Sequence, residues 1–358
     1  MSITNSAIYV DPSTGALSTS TVQFRNRIIN GDMRIDQRLA GTSSNLVATA
    51  VGAYIADRWR VSNGTTTGAL TVQRVRAPAN PYGQVYALSA IATTAQGVLN
   101  NQDYVTLEQR IEGYNIADFG WGGAYAQPVT VSFAAYSTQA GQYTLALRNS
   151  ANTMSYVTPF TVPAANQWVQ IQQTIAGETS GTWEVENGLG LSVAVTLAAG
   201  SNWMTSDIGR WQESSRAPSG FGYAAATGGV NFMGVANNQF YLTGVQVEKG
   251  TIATGFEARP LGVELALCQR YFETLFARVY GYVLLNEFLI IPYTFKVEKR
   301  TSNITFSPSY LFVPNATNGA YLEAFTTYGC SLGIGPRASS SGSLYLNGQG
   351  PFYVSAEI

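Results

Sequence analysis

Histidine is missing altogether from the 358 residues, which removes Ser-His-Asp and Cys-His catalysis, histidine-ligated zinc and imidazole general bases. Charge is scarce as well. Only 11% of residues are Asp, Glu, Lys or Arg, against roughly 25% in ordinary soluble domains, so Ser, Thr, Asn, Gln and Gly must wet the surface. The 20 basic and 21 acidic residues nearly cancel, leaving no global field to draw the chain to nucleic acid or to an anionic membrane. Two cysteines, Cys268 and Cys330, are too few for a disulfide framework or a cysteine zinc site, and both are expected to be reduced and packed. No apolar run approaches the roughly 18 residues needed to cross a bilayer. The first ten residues also lack the basic start and apolar core of a secretory leader. The expectation is a chain made in the cytosol, without signal peptide or membrane insertion.

Helical periodicity is the last thing in short supply. One segment has it: Pro260 stands where a helix favours its first residue, and Leu261, Leu265, Cys268, Phe272, Leu275 and Val279 recur at steps of four and three. Elsewhere the chain reads as strands and turns. Alternation is clear in residues 129–133, 143–147, 168–171 and 191–197. Phe240, Leu242, Val245 and Val247 continue it, with Gly244 placed for a bulge. Near the start, residues 24–38 alternate around an Asn30-Gly31 turn signal, and 54–61 read as a second strand ending at Asn63-Gly64. Many short strands with no helices between them predict an antiparallel sandwich rather than a βαβ fold.

The expected fold class is therefore all-β. Residues 1–23, rich in Ser and Thr, form an N-terminal attachment arm; 24–259 form an antiparallel jelly-roll sandwich; 260–279 form one linking α-helix; and 280–358 form a small C-terminal β-sandwich-like module. In that module the apolar run 280–291 and the extended 293–304 precede short strands at 310–313, 321–326 and 344–346, with turns at Asn318-Gly319 and Asn347-Gly348. A module of about eighty residues is short for an independent core, so it is expected to dock on the jelly roll or on a copy of itself. The linking helix is expected to lie on a sheet within one subunit instead of forming a three-helix seam, because Leu267, Tyr271 and Phe276 widen its apolar stripe. Arg270 interrupts that stripe and is expected to be tied to Glu273 or to sheet carbonyls.

FRNRIINGDMRIDQR near the start, YIADRWR some way on, and VQVEKGTIATGFEARPLGVELALCQRYFE at the junction together resemble the landmarks of phage and prophage tail-fibre-type proteins. In that family a carbohydrate-binding-module-like jelly roll precedes an element containing Cys-Gln-Arg-Tyr, here Cys268 to Tyr271. The resemblance covers roughly residues 24–275 and singles out Phe256, Arg259, Cys268, Arg270 and Tyr271 as structural junction residues. It implies a virion component, a homotrimer, contacting other virion proteins through its N-terminal arm and a host cell-surface glycan through its sandwich.

Sugar recognition needs flat aromatic faces flanked by amides and short acids. Trp168, Trp183, Trp203, Trp211 and Trp121 supply the first requirement, and Asn187, Gln170, Gln172, Glu184, Glu186 and Asn166 the second. The competing reading is that these tryptophans fill the sandwich, as buried Trp commonly does. Trp183, between Thr182 and Glu184 and beside Gly181, is expected to face solvent, and with Trp168, Trp203, Trp211, Glu184, Glu186 and Asn187 makes the candidate glycan site. Trp59 in the second landmark is expected in the core, with Asp57 tied to an Arg or to backbone amides. Arg27, Arg34, Arg38, Arg58 and Arg60 are then strand-face or intersubunit ion pairs. Paired carboxylates for glycosidic cleavage would have to come from Glu184 with Glu186, expected two apart on a strand, or from Asp103, Glu108 and Glu112.

No cofactor is indicated; calcium could bind through Asp and backbone carbonyl oxygens at a jelly-roll edge, but no acidic loop has EF-hand spacing to indicate it. The reading that results is a non-catalytic receptor-binding virion protein, binding through stacking and neutral hydrogen bonds with little dependence on salt. Two alternatives stand beside it: a capsid-decorating or tail-scaffolding protein that never touches sugar, and a glycan depolymerase.

Overall fold

The computed structural model describes residues 7–10, 17–20, 24–220, 222–275, 278–283, 289–308, 320–323, 326–334, 342–347 and 352–358. Two antiparallel sheets face each other across one core. The first has seven strands in the order Trp211–Glu213, Met154–Val162, Gly141–Asn149, Leu189–Ala199, Tyr104–Glu112, Trp59–Asn63 and Ala50–Tyr54. The second has six: Gln167–Ile175, Val129–Ser137, Gln239–Lys249, Tyr86–Thr94, Ala69–Arg76 and Ser44–Leu46. This is the expected all-β jelly-roll class, and all four runs of clear alternation lie within sandwich strands. Their period-2 pattern explains the layering: Val129, Val131, Phe133 and Ala135 from one sheet meet Leu145, Leu147, Val193 and Val195 from the other in a single buried cluster.

The expected bulge is present. Pairing of Gln239–Lys249 with Val129–Ser137 slips between Thr243 and Gln246, and Gly244 has φ +63°, a backbone conformation glycine adopts without penalty. The slip lets Phe240 and Leu242 before it, and Val245 and Val247 after it, all reach the core.

Three expectations need correction. Residues 24–38 make the Asn30 turn but no hairpin ladder. The Asn30 amide accepts from Ile35 N at 2.8 Å and donates to Ile35 O and Asp57 O, substituting side-chain bonds for strand pairing. Residues 54–61 are not one strand: Ala50–Tyr54 and Trp59–Asn63 are paired, joined through Arg58 at φ +69°. The linking helix is half as long as its apolar spacing predicts, running Leu261–Gln269. Phe272–Leu275 instead pairs with Phe352–Ser355, so a partner some eighty positions away overrides local periodicity. The helix lies on the Ile29–Ile35 segment through Cys268 and on Ile358, not on the face of a sheet.

Beyond the helix, Phe272–Leu275, Phe352–Ser355 and Thr305–Pro308 form one three-stranded sheet, Leu289–Thr294, Gly329–Ile334 and Ala320–Glu323 another, and Arg278–Val283 pairs with Gly342–Asn347. Residues 295–304 are irregular instead of extended, because Lys299 turns inward to the Glu273 carboxylate at 2.7 Å and to Gln269 O. The expected strand at 310–313 and turn at Asn318-Gly319 lie outside the described residues. In the N-terminal stretch, Ala7–Val10 pairs with Leu17–Ser20. Among the described residues no helix is long and apolar enough to cross a membrane, and no three His, Cys, Asp or Glu side chains converge on a metal-sized site.

Candidate functional site: a cleft on the seven-stranded sheet

The strand Tyr104–Glu112 lies inside the seven-stranded sheet, between Leu189–Ala199 and Trp59–Asn63. Val105, Leu107 and Ile111 point into the core, so Tyr104, Thr106, Glu108, Arg110 and Glu112 form a row on the outer face. Register places Arg60 opposite Glu108, Ser62 opposite Thr106, and Ser192 opposite Arg110; on the next strand Arg148 pairs with Ser192. All of these except Glu112 line a cleft of about 430 Å³, to which Trp203 adds its ring beside Tyr104. That volume falls in the range of small-molecule sites, roughly 300–1,000 Å³. The two aromatic rings lie 4.4 Å apart, and the Trp203 indole donates to Gln102 O at 2.8 Å, fixing the wall.

Glu108 sits on the floor at 4% side-chain exposure. Its carboxylate accepts from Arg60 Nη1 at 2.6 Å and from the Ser192 hydroxyl at 2.5 Å, with Arg110 Nε at 3.5 Å and Arg148 Nη2 at 3.8 Å. Burial by itself would raise its pKa. The Arg148, Arg110 and Arg60 guanidiniums, with the Ser192 hydroxyl, outweigh burial and hold the carboxyl at about 2. Burial lowers Arg148 from its ordinary value, opposed by Glu108.

The same strand reaches the Cys268–Tyr271 segment at its far end. Arg270 grips Glu112 with both arms of its guanidinium, at 2.9 and 2.6 Å, and the Tyr271 hydroxyl donates to Glu112 at 2.5 Å. Burial pushes the Tyr271 phenol well above its usual range, while Arg58 stacks over its ring at 3.6 Å. Arg270 is thus tied down as expected, but by Glu112; Glu273 is taken by Lys299. Arg259 donates to Ile28 O at 3.1 Å and pairs with Glu264, whose carboxylate accepts from Asn30 N. Trp59, 2% exposed, donates to Asn30 O at 2.8 Å, and Asp57 accepts from Gln37 N at 2.6 Å. Three segments widely separated in sequence therefore close one buried polar knot. Cys268 lies in it fully buried, and Phe256 is half-buried nearby in sequence. Arg38 and Arg58 both pair with Glu357 of the same chain, and Arg110 donates to Ile358 O at 2.9 Å.

The tryptophans expected to make the site are dispersed. Trp183 is 8% exposed, a correction to its expected solvent-facing position: its ring packs edge-on against Trp121 at 4.7 Å and Trp211 at 5.4 Å. Trp121, Trp183 and Trp211 fill one edge of the sandwich core. Trp168 is on the outer face of the other sheet, with Tyr136 at 5.7 Å. Only Trp203 lines the cleft. Glu184 and Glu186 lie in a loop and not on a strand, and Glu184 is occupied by the Glu186 amide. Asn187 exchanges hydrogen bonds with the backbone and side chain of Arg300. Asp103 is held by Thr66, Gln96 and Asn100, and Glu108 and Glu112 stand roughly 13 Å apart along the strand. The residues that sequence reasoning missed are Tyr104, Thr106, Arg110, Ser62, Arg148 and Ser192. Their signal was the polar alternation of residues 104–112, which marks an outer face but says nothing of what neighbouring strands bring to it.

No protein-family model matches the chain, and no curated protein matches it. Solved structures similar to it include the enzymatically active domain of bacteriophage CBA120 tailspike protein 4 (9% identity, TM-score 0.33), covering 63% of this chain but 22% of that one. A putative sugar-binding protein from Bacteroides thetaiotaomicron has 11% identity and a TM-score of 0.34 over 63% of this chain and 99% of that one. The family 11 carbohydrate-binding module of a Clostridium thermocellum cellulosomal cellulase has 11% identity and a TM-score of 0.29, over 61% and 99%. Superpositions this loose assign no function.

Proposed function

We propose that this chain is a glycan-binding attachment component of a phage virion, of the tail-fibre type, which holds a saccharide in the cleft without cleaving it. The observation that carries the binding is the cleft itself. The half-buried Tyr104 ring, backed by the buried Trp203, adjoins the Arg60 and Arg110 guanidiniums, which stand partly exposed over a buried floor of Ser62, Thr106 and Ser192: the mixture of ring face and fixed donors that saccharide hydroxyls require. Among the described residues a single carboxylate side chain lines it, and at a pKa of about 2 Glu108 stays ionised at neutral pH. A lone ionised carboxylate cannot protonate a leaving oxygen, and glycosidic cleavage requires a second acid about 5–10 Å away. The virion role rests on the resemblance of the three landmark segments, which meet in one buried knot that would hold the sandwich to whatever follows the helix.

The test is a glycan array with the full chain and with Tyr104→Ala. Binding by the parent, lost in a variant whose melting temperature stays within a few degrees, is the expected result. Binding undiminished by Tyr104→Ala removes the cleft. Antibody against this chain should decorate intact virions at the tail, and decoration confined to the capsid would overturn the tail-fibre role.

A further inference from the structure

The cleft is more cationic than the chain around it. Among the described residues Arg60, Arg110 and Arg148 line it against one carboxylate side chain, Glu108, with Arg110 also 2.9 Å from a main-chain oxygen of the last residue, Ile358, which leaves a local excess of positive charge in a molecule whose net charge is −1. The anion is sunk at 4% exposure while Arg60 and Arg110 stand over it at 21% and 28%, so the groups nearest solvent are guanidiniums. Donors also outnumber acceptors. A carboxylate offers about four acceptor positions, and one on Glu108 is filled by Ser192, whereas each guanidinium carries five N–H groups. Arg60 gives Glu108 one short bond and Arg110 one long one, with a further Arg110 bond to Ile358 O. Both therefore retain N–H groups for a ligand, in the planar fork that fits a second carboxylate.

We propose, resting on the glycan reading above, that the cleft selects saccharides carrying a carboxylate, such as uronate-containing polymers, over neutral ones. The sugar acid lies across Arg60 and Arg110 above Glu108, and an adjoining ring sits against the Tyr104 corner. A neutral sugar at the same place leaves the charge excess uncompensated and offers only hydroxyl acceptors to the fork. This departs from the sequence-based expectation of salt-indifferent binding. Guanidiniums facing solvent are screened over roughly 10 Å at 0.1 M salt, so the acidic ligand's affinity falls as salt rises.

The experiment uses calorimetry on the full chain with polygalacturonate fragments, the same fragments after reduction of their carboxylates to hydroxymethyl groups, dextran, and dextran sulfate. The expected result is at least tenfold tighter binding of the parent polygalacturonate fragments than of the reduced ones, weakening severalfold between 0.05 and 0.5 M NaCl (probe conditions) as counter-charge screening requires. Arg60→Gln lowers the acidic affinity at least fivefold and that of the reduced fragments by a clearly smaller factor, and Arg60→Lys recovers only part of the acidic affinity because it keeps the charge and loses the fork. Circular dichroism confirms that both variants fold. Equal binding of acidic and reduced fragments overturns this inference and leaves glycan binding intact. Dextran sulfate bound as tightly as polygalacturonate overturns the carboxylate assignment. Binding to no member of the series overturns the glycan reading and this inference together.

Discussion

Replacing Glu108 by Gln removes the acidic side chain that lies beneath three guanidiniums while keeping the side chain's shape and its ability to accept from Ser192. The folded-state pKa is lowered from 4.5 to about 2, at about 1.4 kcal/mol per pH unit, which corresponds to about 3 kcal/mol of stability carried by the ionised form. The sign follows from the direction. A carboxyl whose folded pKa is depressed contributes fully above its unfolded value, near 4.5, and loses that contribution as pH falls toward 2. Urea unfolding followed by tryptophan fluorescence, run on parent and variant from pH 7 down to pH 2, isolates this group because every other carboxylate is common to both. The difference should be about 3 kcal/mol at pH 7, shrink below about pH 4.5 and vanish near pH 2. A gap that stays constant over that range, or one under about 1 kcal/mol at neutral pH, refutes the claim that Arg60, Arg110 and Arg148 act through the Glu108 charge.

Trp183→Ala should destabilise by about 3–5 kcal/mol through the cavity left between Trp121 and Trp211, with glycan affinity of the folded fraction unchanged in parallel calorimetry. Gly31→Ala places a methyl group on the Val245 carbonyl oxygen, which accepts from the Asn26 side-chain amide at 3.1 Å, and should cost about 3 kcal/mol or more in the same urea assay. Cys268 is fully buried, and burial with the nearby Asp57 and Glu264 carboxylates pushes its thiol up, so a chromogenic disulfide reagent at pH 8 should label it only as fast as the protein unfolds.

The sandwich was legible because its strands carry their own period. In 129–133 and 191–197 the pleat decided which side faced the core, and the residue order announced it; the alternation of 24–38 did not, because side-chain bonds of Asn30 replaced strand pairing there. The helix was half legible: Leu261, Leu265 and Cys268 obey the spacing, but Phe272 and Leu275 follow it only by coincidence, their conformation being set by Phe352–Ser355. Trp183 misled for a related reason. Its polar neighbours Thr182 and Glu184 describe a loop, while the rings that cover it come from positions 121 and 211. The cleft was the least legible part. Glu108 and Arg60 were each visible, yet their pairing depends on which strands become neighbours, and no local pattern encodes that.

The grip of Glu357 on Arg58 spans 299 positions of chain. A ribosome must therefore release the cation long before its counter-ion exists, and during that interval a guanidinium destined for 1% exposure can find the Arg110 carbonyl and the Tyr271 ring but not its anion. This corner of the molecule is consequently finished late, by the arrival of residue 357, whatever the order in which the sheets condense. Stalled or shortened nascent chains should carry a completed β body with one wet, unlatched seam, and quality-control proteases would meet it there first.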